Sequence, residues 1–161
     1  MITSIRLFLL VPIILLLANC ADTSGSGSQQ GASCGIVIDI NQNDSLDGDL
    51  QRGDCTGNNI SLGQDVTALF DQFRVSVDSQ STLTITLRST DFDTILYLLD
   101  VSTSCTNGCS DSTLLAFDDD GGGGIDGTDS EISFNLNTGT YLILVTAFGS
   151  GSGNFNLETS I

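Results

Sequence analysis

The stretch Gln72-Phe73-Arg74-Val75-Ser76-Val77-Asp78-Ser79-Gln80-Ser81-Thr82-Leu83-Thr84-Ile85-Thr86-Leu87 decides the fold. Phe73, Val75 and Val77 alternate with polar residues, and so do Leu83, Ile85 and Leu87. A period of two marks strands with one face buried, and the Asp-Ser-Gln-Ser between them is turn chemistry. Working outward, Ile132, Phe134 and Leu136 repeat the alternation, and Phe155 and Leu157 supply a last strand. Ile95-Leu96-Tyr97-Leu98-Leu99 and Tyr141-Leu142-Ile143-Leu144-Val145 are apolar at every position, which predicts central strands covered on both sides. Turn signals separate these runs: a Cys-Thr-Asn-Gly-Cys segment, an Asp/Gly run, Asn137-Thr138-Gly139-Thr140 and Gly149-Ser150-Gly151-Ser152-Gly153. The reading is all-β, an antiparallel sandwich of seven or eight short strands. Asp65 to Phe70 offers a single helical turn at most. With 18 glycines, one proline and 161 residues, the chain has room for one such domain.

The N-terminus sets the destination. Arg6 precedes an apolar run from Leu7 to Leu17, which ends in Leu17-Ala18-Asn19-Cys20. A charged start, a short apolar stretch and small residues form a signal peptide over 1–19, too short to span a bilayer comfortably. The cysteine that follows resembles the lipobox of bacterial lipoproteins, in which the Cys20 thiol is acylated. Asn19 departs from the usual Gly or Ala, so an ordinary secretory signal peptide is the alternative. Residues 20–33 hold the cysteine and a Gly/Ser tether that would keep a domain over 34–161 on the order of 20 Å from its anchor. The expected location is the cell membrane or outer membrane, facing the periplasm or the surface.

Removal of the signal peptide leaves Arg52, Arg74 and Arg88 against 20 acids, a formal charge of −17. Such a chain is repelled by phosphate backbones, so nucleic acid is excluded as a partner, whereas divalent cations and basic protein patches are attracted. Cys34, Cys55, Cys105 and Cys109 predict two disulfides in an oxidising compartment. Of three connectivities, Cys34 with Cys55 and Cys105 with Cys109 is preferred, because residues 105–109 read as a turn. Zinc is disfavoured by the spacing and by the absence of histidine.

Several segments, taken in order, resemble a known family: Asp71-Gln72-Phe73, Leu83 to Leu87, Phe92-Asp93-Thr94-Ile95-Leu96-Tyr97-Leu98, Leu115-Ala116-Phe117-Asp118-Asp119, Gly139 to Val145 and Gly153-Asn154-Phe155-Asn156-Leu157. Together they are similar to the bacterial pre-peptidase C-terminal domain, from about Gly48 to Leu157. The resemblance implies a jelly-roll-like β-sandwich. Members are usually non-catalytic appendages of secreted proteases, and some bind calcium or a matrix protein such as collagen. Here the expectation is a free-standing module on a lipid tether. Aromatic-rich collagen surfaces are not expected, since Tyr97 and Tyr141 fall at core positions and there is no tryptophan.

The sharpest local feature is the run from Asp118 to Asp129, with Asp118, Asp119, Asp120, Asp126 and Asp129 as candidate ligands for Ca²⁺, which wants six to eight oxygens. Set against an EF-hand loop, Asp120, Gly123, Asp126 and Asp129 fall at the third, sixth, ninth and twelfth positions, but Gly122 takes the place of a ligand and strands flank the run. It reads as a calcium-binding β-loop or, alternatively, as a solvated hairpin. The resemblance implies a second cluster at the domain entrance, formed by Asp44, Asp47, Asp49, Asp54 and Asp71. Asp91 and Asp93 read as turn and strand-start residues. Arg52-Gly53-Asp54 spells an adhesion tripeptide, taken as chance in a constrained turn.

Without His or Lys, neither a Ser-His-Asp nor a Ser-Lys arrangement can exist. No Asp is followed by Thr-Gly or Ser-Gly as an aspartic protease requires, and a two-carboxylate glycosidase would lack tryptophan to stack a sugar on. The expectation is therefore a non-catalytic, calcium-supported envelope module that binds a protein or glycan. The alternative is a purely structural or accessory domain with no external ligand.

Overall fold

The computed structural model describes residues 37–56, 69–100, 113–124 and 127–161. The signal peptide, Cys20, the tether, Cys34, Cys105, Cys109, Asp126 and the expected turn at Asp65 lie outside the described residues. Ten strands follow one another: β1 (Ile38–Ile40), β2 (Asp44–Leu50), β3 (Cys55–Thr56), β4 (Leu69–Val77), β5 (Ser81–Arg88), β6 (Thr94–Asp100), β7 (Thr113–Asp118), β8 (Ser130–Leu136), β9 (Gly139–Ala147) and β10 (Gly153–Ser160). No helix is present among the described residues.

The strands form two sheets. One has the order β1-β4-β9-β6-β7, with β3 also paired to β4; the other has the order β2-β10-β5-β8. Since β9 takes one side of β4, β1 and β3 share the other, β1 in parallel and β3 antiparallel. The remaining pairs are antiparallel.

Alternation builds the core. Phe73, Val75 and Val77 of β4, Leu83, Ile85 and Leu87 of β5, and Ile143 and Val145 of β9 point between the sheets and are almost fully buried. The two runs expected to be apolar on both faces are β6 and β9, and both are interior strands of the larger sheet. Their other parity, Tyr97, Leu99, Leu142 and Leu144, forms a second buried cluster with Phe70. The all-β antiparallel sandwich is thus the observed fold.

The described residues hold ten strands where seven or eight were expected. The additions include the very short β1 and β3, and also β2, Asp-Ser-Leu-Asp-Gly-Asp-Leu, whose composition is depleted in strands. Its pairing works because Leu46, Gly48 and Leu50 face inward while Ser45, Asp47 and Asp49 face out. At Gly48 the Phe155 ring stands where a side chain would go, with a Cβ falling 2.2 Å from the ring's Cζ.

Candidate functional site

Three connections meet at one end of the sandwich: Ser89–Asp93 between β5 and β6, Asp119–Asp129 between β7 and β8, and Phe148–Ser152 between β9 and β10. Backbone bonds tie them together. Thr94 N–H donates to the Thr128 carbonyl at 3.0 Å and Phe148 N–H to that of Asp93 at 2.8 Å. The buried Ser130 hydroxyl reaches the carbonyls of Thr94 and Asp119. Between these loops and β2–β10 lies a groove of about 930 Å³, with Asp47, Asp91, Asp93 and Asp129 on its walls and Phe92 and Phe155 among its apolar lining. Arg88, the one cation among its described lining residues, is paired with Glu158 at 2.8 Å.

Three of these acids are held by neutral donors. Asp91 accepts from the Asn154 N–H at 2.8 Å, Asp47 from Asn156 Nδ2 at 2.8 Å and Asp129 from the Ser89 N–H at 3.3 Å. Asp93 differs, for its Oδ1 is buried without a hydrogen-bond partner. Burial pushes its carboxyl above the usual range, and the charges of Asp120 and Asp119 push in the same direction. Asp93, read from the sequence as a strand-start residue, therefore stands beside the Asp/Gly loop. The pairing of Leu96 with Asp118 brings it there, a long-range contact with no local signature.

The Asp/Gly run is a folded hairpin. Gly122 N–H donates to the Asp129 carbonyl at 2.8 Å, and Gly123 and Asp129 form a bridge. Gly124 has φ +78°, and a Cβ there would lie 2.6 Å from the Asp129 carboxylate. Asp118 Oδ2 accepts from the N–H groups of Gly121 at 2.7 Å and Glu131 at 2.8 Å, so this acid holds the turn. Asp119 and Asp120 are exposed and Asp129 is buried. Among the described residues no three carboxylates stand close enough together to hold a metal ion.

In the second predicted cluster the structure brings Asp49 near Asp54, whose carboxyl is pushed up by burial first and by the Asp49 charge after it, and sets Asp44 apart. Asp44 begins β2 and bonds Asn41 and Ser45, which holds its carboxyl below the usual range. Asp54 follows the far end of that strand, about 20 Å away at 3.3 Å per residue. Asp54 is buried, and its carboxylate turns back onto the Gln51 N–H. Asp71 is buried on β4. Cys55 contributes its backbone to β3, and neither expected disulfide falls within the described side chains.

Exposed aromatics were not anticipated. Tyr97 and Tyr141 are buried, as expected, but Phe117 and Phe148 are 60% and 65% exposed. Phe117 stacks on Tyr97 with ring centroids 6.1 Å apart.

No curated protein matches the chain. Among solved structures, the pre-peptidase C-terminal domain of a collagenase from Bacillus anthracis superposes with a TM-score of 0.51 at 17% identity, covering 77% of this chain and 94% of that one. CorA, a surface-associated copper-binding protein of Methylomicrobium album BG8, gives 0.49 at 13% identity over 80% of this chain and 99% of that one. PliG, a periplasmic lysozyme inhibitor from Aeromonas hydrophila, gives 0.38 at 11% over 81% and 99%. The family model for the bacterial pre-peptidase C-terminal domain matches residues 70–147, which run from β4 to the end of β9. The center of this sandwich is thus similar in sequence to the bacterial pre-peptidase C-terminal domain, and the described sandwich has the fold of that domain.

Proposed function

We propose that the chain is a non-catalytic binding module of the pre-peptidase C-terminal type, exported, held on the cell membrane or outer membrane through acylated Cys20, and supported at its loop end by calcium. The observation that carries this reading is the groove lined by Asp47, Asp91, Asp93 and Asp129, where the described residues supply one cation, Arg88, already paired with Glu158. Uncompensated carboxylates on an apolar lining favour a cationic occupant, and a protein carrying 20 acids and 4 basic residues draws cations toward it. Calcium would act by drawing Asp93, Asp119 and Asp120 together with Asp126, relieving their repulsion and fixing the hairpin. Asp118, engaged with two backbone donors, would serve the turn rather than the ion.

Thermal unfolding of the full chain in mild detergent tests the calcium part, in excess EGTA, in millimolar Ca²⁺ and in Mg²⁺ at matched ionic strength. A site filled to one hundred times its dissociation constant stabilises by about 2.7 kcal/mol, which moves the midpoint by measurable degrees. The expected result is a Ca²⁺-specific rise that is lost in Asp93→Asn and in Asp120→Asn. An equal rise with Mg²⁺, or none, would sink calcium support. Anchoring is read separately from the intact mass of membrane-extracted protein: an acylated N-terminal Cys20 is expected, and Cys20→Ser should release the chain from the membrane.

A further inference from the structure

A sandwich of two open sheets has exposed edges, and each edge strand offers backbone N–H and C=O groups to any extended chain that lies alongside. Most edges here are guarded. β2 carries Asp44, Asp47 and Asp49, β8 carries Glu131, and the free side of β4 is covered by β1 and β3. The strand β7, Thr113-Leu-Leu-Ala-Phe-Asp118, is different. It pairs with β6 on one side and with no other strand among the described residues. Its register with β6 shifts at one bulge, between Leu98 and Leu99, but it has no proline or basic residue, and its single charge, Asp118, is turned onto the Gly121 and Glu131 N–H groups. Of the four large apolar side chains exposed among the described residues, two stand on this strand, Leu114 at 39% and Phe117 at 60%. Acids bracket it: Asp100 is in register with Thr113 at one end, and Asp118 to Asp120 close the other.

The geometry points to β7 as a docking edge for an extended segment of a partner protein, a short run of apolar β-forming residues flanked by Lys or Arg, added as the next strand of the larger sheet. Backbone pairing would supply affinity, Leu114 and Phe117 the apolar contact, and the bracketing acids the register. A second copy of this chain suits the edge less well, because antiparallel pairing of two β7 strands would bring Asp118 to Asp120 of one to the Thr113 end of the other, one strand from its Asp100, with no basic residue on either β7 to offset the charge. This inference deepens the binding-module reading by naming the partner class, and requires neither calcium nor the Cys20 anchor.

The test is fluorescence anisotropy with the full chain in mild detergent and a labelled peptide, Lys-Val-Thr-Ile-Thr-Val-Lys, in EGTA and in Ca²⁺. Two further peptides carry N-methyl groups on alternate residues, one on each parity, since only one parity faces the edge. Saturable binding is expected in both buffers, lost for one N-methylated peptide and kept for the other, and weakened about tenfold by Glu in place of the flanking Lys and by Leu114→Lys with Phe117→Lys. Both substituted side chains are exposed, so the fold should survive; should that variant fail to fold, the N-methylated pair still decides. Absence of saturable binding, equal binding of all three peptides, or binding in Ca²⁺ alone would overturn the edge assignment. So would concentration-dependent dimerisation of the chain that Leu114→Lys abolishes, which would give the edge to a second copy.

Discussion

Gly48 stands in a strand because the Phe155 ring occupies the space of a side chain. A methyl there must displace that ring, itself in edge-on contact with Phe73 and Phe92, so Gly48→Ala should destabilise the domain by about 1–3 kcal/mol in chemical denaturation. Phe155→Leu should recover part of the loss in the double variant if the clash is the cause. The acids make a second prediction. Burial holds the Asp54 and Asp93 carboxyls above the ordinary value of 3.8, whereas hydrogen bonds, from Arg74 to Asp39 and from Asn41 and Ser45 to Asp44, hold those two below it. A raised carboxyl favours the folded state when protonated, so its contribution is full below 3.8 and is lost as pH rises through the folded value. A lowered one contributes above 3.8 and loses that contribution as pH falls through its folded value. Between 3.8 and neutrality the lowered pair already contributes in full and changes little, so the raised pair alone favours mild acid, and the unfolding midpoint should rise from pH 7.5 toward pH 5, with a smaller rise in Asp93→Asn. A midpoint that falls steadily over that range would contradict the assignment. The position of Asp93 was not legible in the sequence, because its neighbours Asp119 and Asp120 lie more than 25 residues along the chain and only the β6–β7 register brings them near.

Individual strands carry the parts of the fold that the sequence made plain. Alternation in β4, β5 and β8 is a local property of a half-buried strand, and the unbroken apolar runs of β6 and β9 follow from lying inside a sheet covered on both faces. Where another constraint intervenes, legibility fails. In β2 the outward acids and the glycine facing Phe155 mask an ordinary inward parity, so the segment reads as a ligand cluster although it is an edge strand. The Asp/Gly run was legible as a β-loop or a hairpin, but the bond between Gly122 and Asp129 that closes it was not, since it depends on which sheet each flanking strand joins. Both faces of β9 should therefore be core. Ile143→Ala, between the sheets, and Leu144→Ala, in the second cluster, should each cost about 2–5 kcal/mol. Thr84→Ala, on the polar outer face of the smaller sheet opposite Ser133, should stay within about 0.5 kcal/mol. A loss at Leu144 as small as that at Thr84 would mean that the second cluster contributes little to stability.

At the scale of the whole molecule, charge opposes compaction. Twenty acids face four basic residues, and like charges packed into one domain repel one another. Attractive pairs offset little of this. The described residues hold two ion pairs, Arg74 with Asp39 and Arg88 with Glu158, each with both partners half-exposed or more and each worth about 0–1 kcal/mol. Monovalent salt screens repulsion and ion pairs alike, but the repulsive set is larger and spans longer distances, where a Debye length of about 10 Å at 0.1 M removes the greater share. Raising NaCl from 10 to 500 mM in EGTA should accordingly raise the unfolding midpoint by about a few degrees, with no divalent ion needed. The rise should shrink as pH is lowered toward the raised carboxyls of Asp54 and Asp93, and in a variant in which exposed acids of the Asp/Gly loop become Asn. A fall in the midpoint with salt would instead give the two ion pairs more weight than the surplus acids. The same comparison separates screening from a site: a domain stabilised by 500 mM NaCl but indifferent to millimolar Ca²⁺ beyond its ionic strength owes its loop end to charge density alone.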